Sequence, residues 1–126
     1  PLKDAGLDQI LLASPTTAEG RLGKLCEAAA GFLYYVSFNG ITGAAQLSTG
    51  DIAERVAGIR ARSKAPVAVG FGVRDAASAK AIGEFADAVV IGSALVDRLK
   101  EATSADEAVG RARDFLAPIR AALDAR

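Results

Sequence analysis

Four short, predominantly apolar runs constrain the fold of this chain more than any other feature. They are residues 9–13 (QILLA), 32–37 (FLYYVS), 66–70 (PVAVG) and 87–91 (DAVVI). Apolar residues that do not alternate with polar ones are typical of strands covered on both faces, as in parallel sheets. A turn and then apolar residues at helical spacing follow each run, and strands that alternate with helices predict a parallel α/β architecture.

The segments between the runs contain recognisable helix starts. Thr16-Thr17-Ala18-Glu19 and Ser104-Ala105-Asp106-Glu107 each predict a capping box, in which a hydroxyl and a carboxylate bond to amides of the first turn. Further helices are predicted after residues 48–51 (STGD), after Asp75 as N-cap, and as a short extra helix over 93–100. The result is four βα units in one domain, residues 1–126, spaced as in half of a (β/α)8 barrel.

Composition excludes several classes of function. The 15 basic and 15 acidic residues balance, and no basic stripe is present, which argues against a nucleic-acid partner. No apolar run approaches the ~20 residues that span a bilayer, so no membrane association is expected. The single cysteine, Cys26, and the absence of histidine exclude an internal disulfide and a structural zinc site, and predict a reducing cytoplasm with no bound metal.

The first six residues resemble the end of a helix that stops at Gly6. The whole chain also lacks methionine. We therefore expect that an upstream portion of a longer protein precedes this chain.

Glycine-bearing loops follow the last two predicted strands. Gly70-Phe71-Gly72-Val73 and Ile91-Gly92-Ser93-Ala94 are positioned as in barrels that bind phosphate between the final two loops and an extra helix. Glycine lets backbone amides approach a ligand, and a helix N-terminus favours an anion. Phosphate binding is therefore predicted at Gly72, Gly92 and Ser93, although Ser93 also fits an ordinary N-cap.

The loop after the second strand, residues 38–50, exceeds the usual length of a βα loop and is interpreted either as an active-site lid or as a tolerated surface insertion. Tyr34 and Tyr35 before it must face opposite sides of the sheet, so one of them points into the barrel. No acid–base pair or activated nucleophile follows a strand, and no catalytic residue is predicted in this segment.

Three segments in order, FLYYVSFNGITGA, PVAVGFGVRDAASAKAI and ADAVVIGSALV, resemble the tryptophan synthase alpha chain family. The resemblance covers essentially the whole chain, which matches strands five to eight, the C-terminal half of a TIM barrel. It implies retro-aldol cleavage of indole-3-glycerol phosphate to indole and glyceraldehyde 3-phosphate, in tryptophan biosynthesis. It also implies no cofactor in this chain, and a pyridoxal-phosphate-dependent beta subunit as partner in an α2β2 tetramer.

The resemblance assigns roles to individual residues. Substrate phosphate would be held by four residues: Gly43, Gly72, Gly92 and Ser93. Tyr34, Phe71 and Val90 would line the substrate pocket, and Thr42 would belong to the mobile lid.

Some features depart from the family or leave alternatives open. The catalytic glutamate and aspartate of the family belong to the N-terminal half, and Phe38 and Asn39 differ from its usual lid residues. Thiamine-phosphate synthase and ribulose-phosphate epimerase are phosphate-binding barrels with similar glycine loops, although they lack the Gly-Ile-Thr-Gly-Ala segment. A half-barrel that binds or assembles without catalysis is the third possibility.

Overall fold

The computed structural model describes residues 2–36, 49–70 and 72–125. Four parallel strands form one sheet in the order β1-β2-β3-β4. The strands are β1 (Leu11–Ala13), β2 (Leu33–Val36), β3 (Val67–Gly70) and β4 (Ala88–Val89). The helices are α1 (Glu19–Ala28), α2 (Thr49–Arg60), α3 (Ala76–Gly83), α4 (Ser93–Leu99) and α5 (Ala105–Asp124), and a 3-10 turn covers Lys3–Ala5.

The two faces of the sheet have different surroundings. Leu33, Tyr35, Val67 and Val69 point to one face, and each is 0% exposed. The opposite face carries the row Leu12, Tyr34, Ala68 and Ala88, which are paired across the strands. Leu12 on that face is 58% exposed, so the helices cover one side of the sheet and leave the other partly open.

Helices α1, α2, α3 and α5 supply most of the rest of the core. Their apolar residues recur at three- and four-residue spacing, which places them on the helix face turned to the sheet. The buried set is Leu22, Cys26, Ile52, Val56, Ile59, Ala79, Ile82 and Ile119. Burial raises the pKa of the Cys26 thiol, in keeping with a small core residue rather than a reactive one.

Two of the predicted helix starts are confirmed. Asp75 caps α3 in a capping box with Ser78, whose amide donates to the Asp75 carboxylate at 2.8 Å. Ser104 caps α5 by accepting from the Glu107 amide at 3.2 Å. The Glu107 carboxylate, however, bonds to the Thr103 amide instead of the amide of the N-cap residue.

The capping box predicted at residues 16–19 is wrong. The N-cap of α1 is Ala18, which has no side chain able to accept a hydrogen bond. The Thr16 hydroxyl, which the box would place at the N-cap, lies two residues too early and bonds to the Ser14 hydroxyl at 3.0 Å. The Thr17 hydroxyl lies one residue too early, and it accepts from the Ser14 amide at 2.9 Å in the turn after β1. Glu19 bonds instead to Arg55 and Arg62 of the α2 region.

Asp87 connects three elements at the amino ends of the last two strands. Its carboxylate accepts from the Val67 amide at 2.9 Å and forms an ion pair with Arg60 at 2.6 Å. The Asp87 amide donates to the Val67 carbonyl. This aspartate therefore joins α2, β3 and the start of β4, at the end of the sheet opposite the glycine loops.

This arrangement, with sequential parallel strands and helices packed against one face, is that of half a (β/α)8 barrel, and the predicted fold class is confirmed. None of the helices in the described part of the chain has the length and apolar character to cross a bilayer.

Candidate functional site

The carboxyl ends of the strands meet at one edge of the sheet, because all four strands are parallel. The segments that leave this edge are those in which the sequence predicts the site. Five of the residues named there lie outside the described part of the chain: Phe38, Asn39, Thr42, Gly43 and Phe71. The described part of the site consists of residues at, or just after, the carboxyl ends of β2, β3 and β4.

Gly72 occupies the turn between β3 and α3 in a left-handed conformation, with φ of +50°. Side chains rarely adopt that conformation, and glycine adopts it without strain. No atom outside its immediate neighbours lies within 4 Å of a Cβ built at this position. The turn thus requires glycine for its backbone, and it leaves open space beside that backbone.

The start of α4 presents unpaired backbone amides. Gly92 is the N-cap, and its carbonyl accepts from the amides of Leu95 and Val96 at 3.0 and 3.1 Å. The amides of Ser93 and Ala94 precede the first bond of the helical ladder, so they have no partner within the helix. The interpretation of Ser93 as the N-cap is wrong, because Ser93 is the first helical residue and its exposed side chain makes no capping bond.

Pairing between β3 and β4 brings these two features to the same edge. Val69 pairs with Val89, and the Val90 amide continues the ladder by donating to the Val69 carbonyl at 2.9 Å. The chain then reaches Gly72 three residues beyond Val69, and Gly92 three residues beyond Val89. Backbone amides that leave neighbouring strands at one level can converge on a shared anion.

Tyr34 lies on the open face of the sheet, as the pocket assignment requires. It is half-buried, whereas Tyr35 is 0% exposed beneath the helices, so the two rings face opposite sides as predicted. A Cβ built on Gly70 would lie only 2.8 Å from Cε2 of Tyr34. The ring therefore lies directly across the last residue of β3, beside the turn that contains Gly72.

Arg55 joins α2 to the loop after β1, a contact that the sequence did not indicate. This residue of α2 donates to the Thr17 carbonyl at 3.1 Å and to Glu19 at 3.0 Å, and so fixes the loop after β1. The Tyr35 hydroxyl and Arg55 Nε are both buried without a hydrogen-bond partner in the described ranges. Burial raises the pKa of Tyr35, and the nearby Arg55 guanidinium opposes part of the rise. Arg55 is 36 residues from Glu19 and 38 residues from Thr17 in sequence, beyond any local signal.

A cleft of about 470 Å³ opens at the carboxyl ends of β1 and β2. Leu12 and Val36 form its apolar part, while Ser14, Thr17 and Arg21 contribute polar groups. Neither the hydroxyls nor Arg21 was predicted as part of a pocket, because the turn after β1 carries no glycine motif.

Three carboxylates of the described residues are explained by structural partners. Asp75 caps α3, and its bonds to Ser78 lower its pKa. Glu19 pairs with two arginines, and Asp87 lies at the far end of the sheet. Within the described residues no group of three or more acidic or thiol side chains could hold a metal ion.

Comparison with known proteins assigns a family to these features. The family model for the tryptophan synthase alpha chain matches residues 1–122. Tryptophan synthase alpha chains of Xylella fastidiosa and Xanthomonas campestris are 54% and 55% identical to this chain, over 96% and 97% of its length.

Solved structures agree with the sequence relatives. The tryptophan synthase alpha subunit of Legionella pneumophila superposes with a TM-score of 0.81 at 33% identity over 98% of this chain. Tryptophan synthase of M. tuberculosis in its aminoacrylate-bound form gives a TM-score of 0.76 at 33% identity. The chain spans slightly under half of these relatives, 45% of the Xylella fastidiosa protein and 45% of the Legionella pneumophila chain.

Proposed function

The chain belongs to the tryptophan synthase alpha chain family, and from that premise we propose that the intact protein cleaves indole-3-glycerol phosphate. The reaction is a retro-aldol cleavage that releases indole and glyceraldehyde 3-phosphate, which makes the protein a cytoplasmic lyase of tryptophan biosynthesis. The observation that carries the proposal is the family match over residues 1–122, which includes both glycine turns and α4.

In this proposal the chain holds the phosphate of the substrate. Gly72 and the start of α4 supply backbone amides, because the left-handed turn leaves open space beside its backbone and the first amides of α4 have no partner within the helix. Ser93 adds a hydroxyl, and Gly43 contributes from the loop that contains Thr42 of the lid. Together these groups would position the substrate with its reacting carbons toward the other half of the barrel.

The indole end of the substrate would lie against the open face of the sheet. Tyr34 supports this role because its half-buried ring is packed across Gly70 beside the phosphate turn. Val90 follows β4 at the same edge, and Phe71 is assigned with them. The general acid and base would come from the remaining length of the protein, so this segment by itself is proposed to be inactive.

The proposal also includes a partner subunit. The family pairs with a beta subunit, and we propose an α2β2 assembly in which pyridoxal phosphate is bound only by the beta subunit. The alternatives from other phosphate-binding barrels, thiamine-phosphate synthase and ribulose-phosphate epimerase, are not favoured by the family match.

Indole release from indole-3-glycerol phosphate by the intact protein tests the proposed activity. The decisive variant is Gly92→Asp, which places a like charge at the proposed anion site. Since a Cβ at Gly92 meets no atom within 4 Å, the substitution should not disturb folding, and Gly92→Ala should be milder. We expect binding of glycerol phosphate to be abolished in Gly92→Asp.

Gly20→Asp is the matched control, because Gly20 also lies in the first turn of a helix and is exposed with no atom within 4 Å of a Cβ. This control should retain both indole release and glycerol phosphate binding. Unchanged affinity in Gly92→Asp would remove the phosphate assignment, and absence of indole release from the intact wild-type protein would remove the proposed activity.

A further inference from the structure

A second cleft lies on the helical side of the molecule, between the turn before α3, helix α4 and helix α5. Its volume is about 580 Å³, within the range of small-molecule sites. The residues that bear on its chemistry are Arg74, Arg98, Arg111, Asp114, Phe115 and Ile119. None of Gly72, Gly92 and Ser93 lines it, so it is distinct from the proposed substrate site.

Two of the charged groups in this cleft have structural partners. Arg111 donates to the Glu107 carboxylate from two nitrogens, at 2.8 and 3.0 Å. Asp75, which also lines the cleft, accepts from the Ser78 amide and hydroxyl. Arg111 is therefore balanced by Glu107, whereas Asp75 keeps its negative charge, which the nearby Arg74 guanidinium partly offsets.

Arg74 and Arg98 retain free guanidinium groups. Within the described ranges, neither guanidinium makes an ion pair or a hydrogen bond. The Arg98 guanidinium carbon lies 5.6 Å from the centre of the Phe115 ring, a cation–π contact that holds it in place while its N–H groups stay unpaired. A guanidinium fork of this kind matches the oxygens of carboxylates and phosphates.

Apolar surface and one acidic group complete the cleft. Phe115 and the buried Ile119 form its apolar floor, together with Pro118 and Ala76. Asp114 lines the same cleft and makes no hydrogen bond or ion pair within the part of the chain that is described. The cleft thus contains two guanidiniums without hydrogen-bond partners among the described residues and two carboxylates, Asp75, which caps α3, and Asp114, beside a surface that favours an apolar group.

We propose that this cleft binds a small organic anion, a carboxylate or phosphate carried on an apolar ring-sized group. The oxyanion lies between Arg98 and Arg74, and the apolar part covers Phe115. This site does not depend on the proposed function, because it shares no residue with the phosphate loops.

Phenyl phosphate titrated into the isotope-labelled intact protein at low salt tests the proposal by nuclear magnetic resonance. Binding should shift the Ala76 and Phe115 amides and the Arg98 Nε–Hε signal, separately from any shift at Gly92 and Ser93. Benzoate should bind with the same pattern if either oxyanion suffices. Inorganic phosphate should bind the cleft several-fold more weakly, and equal affinity would contradict the apolar part of the proposal.

Three variants test both the direction and the size of the expected changes in affinity at the cleft. Arg98→Ala should weaken binding at the cleft by about tenfold, since it removes a charge-assisted contact at an exposed position. Asp114→Asn should strengthen binding by about two- to threefold, because it removes a like charge at nearly constant shape.

Arg113→Ala is the control, since Arg113 is an exposed arginine of α5 outside the cleft, and it makes no ion pair or hydrogen bond within the described ranges. It should leave the affinity unchanged. The proposal is overturned if the cleft signals do not shift, if Arg98→Ala binds as the wild type does, or if Arg113→Ala weakens binding as much as Arg98→Ala.

Discussion

At the scale of single residues, glycine does two different things at the carboxyl edge of the sheet. Gly72 is required by its left-handed backbone, with φ of +50°. Gly70 has an ordinary conformation, but its missing side chain makes room for the Tyr34 ring. Two neighbouring glycines of one motif are thus explained by separate physical causes.

The contact between Gly70 and Tyr34 makes a stability prediction. Gly70→Ala should cost about 1–3 kcal/mol in unfolding free energy, because the new methyl group overlaps the ring. In a Tyr34→Ala background the same substitution should cost much less, since the overlapping ring is gone. Urea denaturation of the four proteins in a double-mutant cycle measures the coupling. Strictly additive effects would contradict the contact.

Residue types and spacing were sufficient to predict the glycine turns, since Gly72 and Gly92 follow strands that are visible as apolar runs. The same reasoning could not reveal the role of Gly70, because that role depends on a ring from another strand. It also missed Arg55, whose partners Thr17 and Glu19 lie far away in sequence. All the phosphate-binding, pocket and lid roles assigned to individual residues stay predictions.

At the scale of elements, the helix starts show where local pattern is reliable. Asp75 and Ser104 cap the predicted helices, since the side chain of each accepts from the amide three residues later. Thr17 does not cap α1, because its hydroxyl serves the turn after β1. Because Thr16 and Thr17 are both residue types that cap helices, the sequence alone did not show that α1 begins after Ala18.

Glu107 makes the start of α5 sensitive to acid. Bonds from the Thr103 amide and hydroxyl, and then from Arg111, lower the pKa of Glu107 to about 2. Because the folded pKa lies below the unfolded value, the contribution of Glu107 to stability is present above about pH 4.5 and is lost as the pH falls toward 2. Glu107→Gln should therefore be less stable than the wild type at neutral pH.

Thermal unfolding followed by circular dichroism at several pH values checks this expectation. The difference in Tm between wild type and Glu107→Gln should shrink steadily between pH 4.5 and pH 2. A difference that stays constant over this interval would show that the carboxylate of Glu107 does not act through its charge.

Asp87 links β3 and the start of β4 to α2. Asp87→Ala should cost about 1–3 kcal/mol, since it leaves the Val67 amide without its side-chain acceptor and Arg60 without its ion pair. Asp87→Asn should cost less, because an amide oxygen can still accept from Val67. Glu54→Ala, at an exposed position of α2, is the control and should change stability by no more than about 0.5 kcal/mol. A loss in Glu54→Ala equal to that in Asp87→Ala would contradict this account.

At the scale of the whole molecule, four continuous apolar runs were sufficient to predict the half-barrel. The strands lie in sequential order in the sheet. They are shorter than the apolar runs; β4, for example, covers only Ala88–Val89 of residues 87–91. The ends of each strand depend on its hydrogen bonds to neighbouring strands, and the sequence of a single run carries no information about those bonds. The open face with Leu12 likewise follows from the assembled sheet and not from local sequence.

That open face predicts how the 126-residue chain behaves when it is expressed alone. β1 and β4 are the outer strands of the described sheet, and unpaired edges beside exposed apolar residues favour association. We expect the isolated chain to self-associate in sedimentation equilibrium. A monodisperse monomer that unfolds cooperatively would contradict this expectation.

The most direct test concerns where the phosphate of the substrate lies in the intact protein. A crystal structure with glycerol 3-phosphate bound should place the phosphate about 3 Å from backbone nitrogens at both Gly72 and the Gly92–Ser93 step. A phosphate bound elsewhere, with these two turns facing separate spaces, would contradict the account.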